Sequence, residues 1–145
     1  MRARLQTGMT LVEQLVTLVL VSVGLLGIAA LQVSGLRAGN ETFTRLRANA
    51  LAADMLERIR ANRTGFENDD YIVAFDETGR PGSTAEMDLS AWQREIDRAL
   101  PGTPSENAGA IQRGTRRNTV TVIIRWGGAQ SVAQQMPKVE LHSEL

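Results

Sequence analysis

Gly8-Met9-Thr10-Leu11-Val12-Glu13 (residues 8–13) stands at the head of an apolar run that decides how the rest of the chain is read. From Gln14 to Leu36 no residue is charged, and thirteen residues are Leu, Val or Ile. About twenty residues of helix cross a hydrocarbon core roughly 30 Å thick. On an insertion scale those side chains contribute about −4 to −8 kcal/mol, against at most about +3.5 kcal/mol for one acid at the membrane centre. The run is expected to insert despite Glu13 at its leading edge. A carboxylate held in such a place points to function.

Before this stretch, residues 1–8 are short and positive through Arg2 and Arg4. The positive-inside rule keeps them cytoplasmic while the rest crosses outward. A secretory signal peptide cut near Gly27-Ile28-Ala29 is one alternative, but its apolar core would usually span only about 7–15 residues. A plain single-span anchor is another, and it leaves Glu13 unexplained.

The remaining composition excludes several chemistries. A chain of 145 residues suits one small domain beside a membrane segment. Sixteen basic side chains balance sixteen acidic ones, and removal of residues 1–8 would leave 14 against 16, a net −2. That argues against a nucleic-acid partner, which favours a basic domain. There is no cysteine and only one histidine, His142, so neither a disulfide nor a Cys- or His-based metal cluster is available. No glycine-rich phosphate loop occurs, and His142 has no Ser or Asp partner motif; it reads as a surface residue. No catalytic residue, metal or cofactor is expected, and the chain is read as not an enzyme.

Downstream the helical pattern continues. Glu41 to Asn62 lacks proline and glycine. Phe43, Leu46 and Ala50 fall at helical spacing, as do Leu51, Met55 and Ile59, while Asp54 and Arg58 form an i,i+4 pair. Thr64-Gly65 supplies a stop signal. The expected helix covers residues 9–62, about 80 Å at 1.5 Å per residue, with residues 9–36 in the membrane. Residues 63–145 form a head whose core uses the outer helix stripe as its spine. Within it, Tyr71 to Phe75 is a candidate short strand. The acidic Glu67-Asn68-Asp69-Asp70 lacks the spacing of a calcium loop and reads as a solvated turn. Asp88 or Ser90 is expected to cap a helix running to Leu100, with Leu89, Trp92, Ile96 and Leu100 near one face and Trp92 in the core. Asn118 to Trp126 alternates, with Val120, Val122, Ile124 and Trp126 on one face and Thr119, Thr121, Ile123 and Arg125 on the other. A turn at Gly114 to Arg117 joins it to a strand around Ala110 to Arg113, Gly127-Gly128 ends it, and Val139 to His142 is a final strand, with Pro137 at its start or on an edge. The expected fold is α+β: one long N-terminal helix packed against a small antiparallel sheet. Arg113, Arg116 and Arg117 could form a DNA-binding patch, but three arginines near a turn more often guard a solvated edge.

Gly8-Met9-Thr10-Leu11-Val12-Glu13-Gln14-Leu15-Val16 after a short basic leader resembles the processing motif of type IV prepilins, G-F-T-L-x-E, with Met9 where phenylalanine is usual. The resemblance implies a pilin-like fold and a leader of residues 1–8 removed by a prepilin peptidase between Gly8 and Met9. It also implies N-methylation of Met9, and a Glu13 that pairs with the amino terminus of a neighbouring subunit. A buried carboxylate needs such a partner. Glycines 24, 27 and 35 are read as close-packing helix positions, and Gly39 as a weak point. Further on, Leu51 to Arg63 ending in Arg-Ala-Asn-Arg, the Trp-bearing helix, its Leu-Pro-Gly end and the strand Val-Ile-Ile-Arg-Trp are similar to PilV-type minor pilins. Those subunits sit near the pilus tip and prime assembly, serving twitching motility and adhesion. The implied partners are other minor pilins of the tip complex, the major pilin, the prepilin peptidase, the inner membrane and the assembly platform, with no nucleic acid. The implied location is the inner membrane, head periplasmic, then the pilus. The alternative is a minor pseudopilin of a type II secretion system.

Replacing Gly8 by a bulky residue should leave the chain as an unprocessed precursor in the membrane. An intact mass showing that residues 1–8 had been removed from this variant would contradict the assigned cut.

Overall fold

No proline precedes Pro81, and Thr10 supplies a helix start. Its Oγ1 accepts the Glu13 N–H at 3.3 Å, and its carbonyl accepts the Gln14 N–H at 3.2 Å. From there helix α1 runs through Leu11–Ala61. This is a computed structural model, in which residues 10–116, 118–128 and 136–145 are described. The chain divides into two compact units, residues 1–41 and 42–145, and α1 contributes to both. In the first unit every described side chain is exposed.

In the second unit α1 becomes the spine of a core. Ala48, Ala52, Met55, Leu56 and Ile59 are buried on it, at spacings of three and four residues. The expected stripe is therefore realised from Ala48 onward, with Leu51 half-buried. Its first part is not: Phe43, Leu46 and Ala50 are all exposed. Periodicity marks a face, but only packing partners decide whether it is covered.

The helix stops at Ala61, one residue before the expected end at Asn62. Asn62 leaves helical geometry at φ −118° and ψ 60°, and its Oδ1 accepts the Gly65 N–H at 3.2 Å, capping a short helix α2 (Arg63–Glu67). An Asn side chain competes well for backbone donors at such a position. Tyr71 to Phe75 does not form a strand. Only Val73 pairs, exchanging hydrogen bonds of 3.1 and 2.9 Å with Ile111, and Asp69 and Asp76 on either side adopt positive φ. On either side of Val73 the backbone donors are taken by local turns, the Ile72 N–H by the Asp69 carbonyl at 3.1 Å and the Ala74 N–H by the Glu77 carboxylate at 2.8 Å, so the ladder does not extend.

Helix α3 (Thr84–Ala99) begins more than a turn earlier than Asp88 or Ser90. Ser83 is its cap, with Oγ accepting the Glu86 N–H at 3.0 Å, while the Glu86 carboxylate accepts the Gly82 N–H at 2.6 Å. Ser83-Thr84-Ala85-Glu86 is a capping-box pattern. Leu89, Trp92 and Ile96 are buried along one face, with Leu100 buried at the C-cap.

Three antiparallel strands complete the unit in the order β1 (Ala108–Arg113), β2 (Thr119–Arg125) and β3 (Lys138–Glu144). Arg113 pairs with Val120 at the hairpin, and Val122 lies between Ile111 and Leu141. Val120, Val122, Ile124 and Trp126 are buried as the alternation required. Ile123, on the opposite face, is also buried, with Ala110 beside it. At Arg125 on that face the guanidinium lies 4.4 Å from the Phe75 ring and bonds Asp76 at 2.6 Å. Pro137 immediately precedes β3 and accepts the Trp126 N–H at 3.1 Å. The edge of β1 is closed by Val73 and by Gln93, whose amide bonds the Asn107 carbonyl at 2.9 Å and the Gly109 N–H at 3.2 Å. This is one way of blunting an edge strand.

Trp92 is a core residue. It is 1% exposed, and its Nε1 donates to the Leu51 carbonyl of α1 at 3.0 Å. Gly109 lets β1 approach its ring, since any Cβ there would overlap Trp92. Gly109→Ala should therefore cost roughly 1–3 kcal/mol, seen as a lower urea midpoint with unchanged slope. An unchanged midpoint would contradict this packing.

Candidate assembly surface

The residues assigned to leader cleavage and methylation, Gly8 and Met9, lie outside the described residues. Glu13 is described. It occupies the first turn of α1, exposed, with its N–H on Thr10 Oγ1 and its carbonyl accepting the Thr17 hydroxyl at 2.8 Å. Thr10 and Glu13 thus stand at the spacing of a capping box, and a carboxylate in a first turn also suits the helix dipole. The sequence reading missed Thr10, although the T-x-x-E pattern was present. Among the described residues no cation pairs with the Glu13 carboxylate.

Behind Glu13, Leu11 to Leu36 presents large aliphatic side chains at 49–75% exposure. By length and composition α1 can cross a membrane. A Cβ added at Gly24, Gly27, Gly35 or Gly39 would meet nothing within 4 Å. Each glycine in a helix interior costs about 1 kcal/mol relative to alanine, and nothing within the described chain returns that cost.

The other singled-out residues have local work. Arg113 donates to the Phe66 carbonyl at 2.7 Å, bonds Asp69 and stacks 4.4 Å from the Phe66 ring. The Arg116 carbonyl accepts the Thr119 N–H in the hairpin; Arg117 lies outside the described residues. The acidic run is divided among arginines: Glu67 with Arg63, Asp69 with Arg113, Asp70 with Arg80. His142 is exposed on β3, with Nδ1 at 2.8 Å from Thr121 Oγ1. Beside it, Glu140 is held below the usual carboxylate range by the Lys138 ammonium.

A network that sequence reasoning did not foresee joins the end of α1 to α3. Arg58 bonds Asp54 at 2.8 Å and lies 3.6 Å from both Asp88 and Glu95. The bond to Asp54 raises its pKa, opposed by partial burial. Asn62 Nδ2 donates to the Tyr71 hydroxyl at 3.1 Å, and that hydroxyl donates to Asp88 at 2.6 Å. Only the Asp54–Arg58 spacing was visible beforehand, because the other members come from three separate segments.

A family model described as Tt1218-like, type IV pilin Tt1218, matches residues 30–86. The match supports a type IV pilin family. It begins beyond Glu13, so it is separate from the amino-terminal motif. No curated protein and no solved structure matches the chain.

Tyr71 is the single tyrosine, fully buried, and burial together with the Asp88 hydrogen bond pushes its pKa up to about 12. Below pH 10 the phenol keeps its proton in both folded and unfolded chains. Between about 10 and 12 the unfolded chain sheds a proton that the fold retains, so stability falls as pH rises. Tyrosinate absorbance should titrate near 12 in the folded protein and near 10 in denaturant, and Asp88→Asn should lower the folded midpoint. A folded midpoint at 10 would contradict the network.

Proposed function

We propose that this chain is a PilV-type minor pilin, a structural subunit and not an enzyme. In this reading it is inserted as a prepilin, cut between Gly8 and Met9 by the prepilin peptidase and methylated on Met9. It is then incorporated near the tip of a type IV pilus, where it primes assembly. The observation that carries the reading is the exposed, charge-free helix surface behind Glu13, in a chain whose residues 30–86 match a type IV pilin model. Such a surface is stable only in lipid or against other apolar helices. Both occur in turn for a pilin: the inner membrane first, then the other pilins of the filament. Removal of the surface from lipid takes Glu13 with it, and the amino terminus of the adjacent subunit neutralises it there. Its working partners are the major pilin, other minor pilins of the tip complex and the assembly platform.

A minor pseudopilin of a type II secretion system would share the leader, Glu13 and the α+β architecture. The similarity of the Leu51–Arg63 stretch and the Trp-bearing helix to PilV-type subunits favours the pilus.

Deleting the gene in a strain that cannot retract pili separates the two. Surface pili recovered by shearing should be lost while secretion of type II substrates stays normal. Lost secretion with normal pili would overturn the pilus reading in favour of the pseudopilus.

A further inference from the structure

Phe43 and Leu46 are 55% and 60% exposed on α1, just before its buried stripe begins at Ala48. The head of the same chain does not cover them. Nor does the bilayer reach them. With the hydrocarbon beginning at Gln14, about twenty residues fill it, and the headgroup zone adds roughly five more, ending near Ala38. The patch has a charge as well. The Arg47 guanidinium lies 4.4 Å from the Phe43 ring and donates weakly to the Ala99 carbonyl at 3.4 Å, with no carboxylate paired to it among the described residues.

The second unit carries a surface of the opposite character. A groove of about 420 Å³ lies between the 73–79 segment, α3 and the start of β1. Val73 and Leu89 line it, and four carboxylates, Asp76, Glu77, Glu86 and Asp97, face one arginine, Arg94. Asp76 is neutralised by Arg125. The other three accept only neutral donors among the described residues: the Ala74 N–H, the Gly82 N–H and the Gln93 amide. Their negative charge remains available to a cation arriving from outside.

We infer that the Phe43–Leu46–Arg47 patch of one copy docks in the acid-rimmed groove of a second copy, Arg47 facing the carboxylates and Phe43 and Leu46 meeting the apolar floor. Two different complementary patches on one molecule make a heterologous contact, which joins two copies head to tail instead of closing as a symmetric dimer. The inference rests on the pilin reading above and adds a contact between copies of this subunit to its contacts with other pilins. The charges set register and orientation, and the apolar side chains leave water.

The absence of cysteine makes the test direct. Full-length Leu46→Cys and Thr78→Cys copies, separately tagged, are expressed together in cells with the assembly machinery and treated with a short thiol cross-linker. A 46–78 product between copies is expected, with none for Leu46→Cys paired with Glu140→Cys. Adding Arg47→Glu to the first copy should cut the yield roughly three- to fivefold, and Glu77→Arg in the second should restore it. No 46–78 product in cells that process the chain and raise filaments would overturn the contact and leave the pilin reading standing. A product linking residue 46 to a different protein would overturn it in favour of another pilin, and shielding of that thiol by membrane before assembly would overturn it in favour of lipid. A chain neither processed nor found in filaments would remove the pilin reading, and this contact with it.

Discussion

An aliphatic helix surface with no cover of its own is the constraint on which the rest of this structure depends. From Gln14 to Leu36 the backbone is satisfied by the helix and its Thr10 cap, so helix is the conformation that lipid tolerates there without exposed amides. The side chains are another matter. No described residue of the chain buries them, and residues 10–41 belong to a separate unit with no internal core among the described residues. It would also account for the open Gly24, Gly27 and Gly35, where close approach by another helix would return what they cost within their own.

The same helix has a second role once it leaves the apolar run. From Ala48 onward small and aliphatic residues alternate at helical spacing, and the head is built on them. Trp92 reaches across to a carbonyl of α1, Arg58 gathers three carboxylates, and Asn62 both starts α2 and holds the Tyr71 hydroxyl. A modest core of this size gains much from polar groups that specify one arrangement. The end of α1 is thereby fixed to α3, to the 69–77 segment and, through Arg60 and Ser143, to β3.

Much of this was legible beforehand. The apolar run, the α+β class, the buried alternation of Val120, Val122, Ile124 and Trp126, and the core position of Trp92 follow from periodicity alone. What was missed has physical causes. The cap of α3 was expected at Asp88 or Ser90 because the apolar pattern begins at Leu89, whereas the cap at Ser83 acts on backbone groups and carries no hydrophobic signal. Tyr71 to Phe75 has strand composition, but its Ile72 and Ala74 N–H groups are taken by the local turns at Asp69 and Glu77. Phe43 and Leu46 share the periodicity of the core without sharing its cover. Tyr71, Asp88 and Asn62 are far apart in sequence, so their hydrogen bonds had no local signature. At the candidate assembly surface Glu13 was visible as a charge in the wrong place, while the role of Thr10 in holding its turn was not.

The central claim is that Glu13 acts between subunits and is not merely a helix-capping residue. Glu13→Gln keeps the side chain's shape and much of its capping capacity while removing the charge, and Glu13→Leu removes both. The decisive measurement is filament number in cells expressing each variant, alongside processing and membrane insertion of the chain. The account predicts that both variants are processed and inserted and that both assemble poorly. Filaments at the parent level with Glu13→Gln would contradict it and reduce Glu13 to a local role at the start of α1.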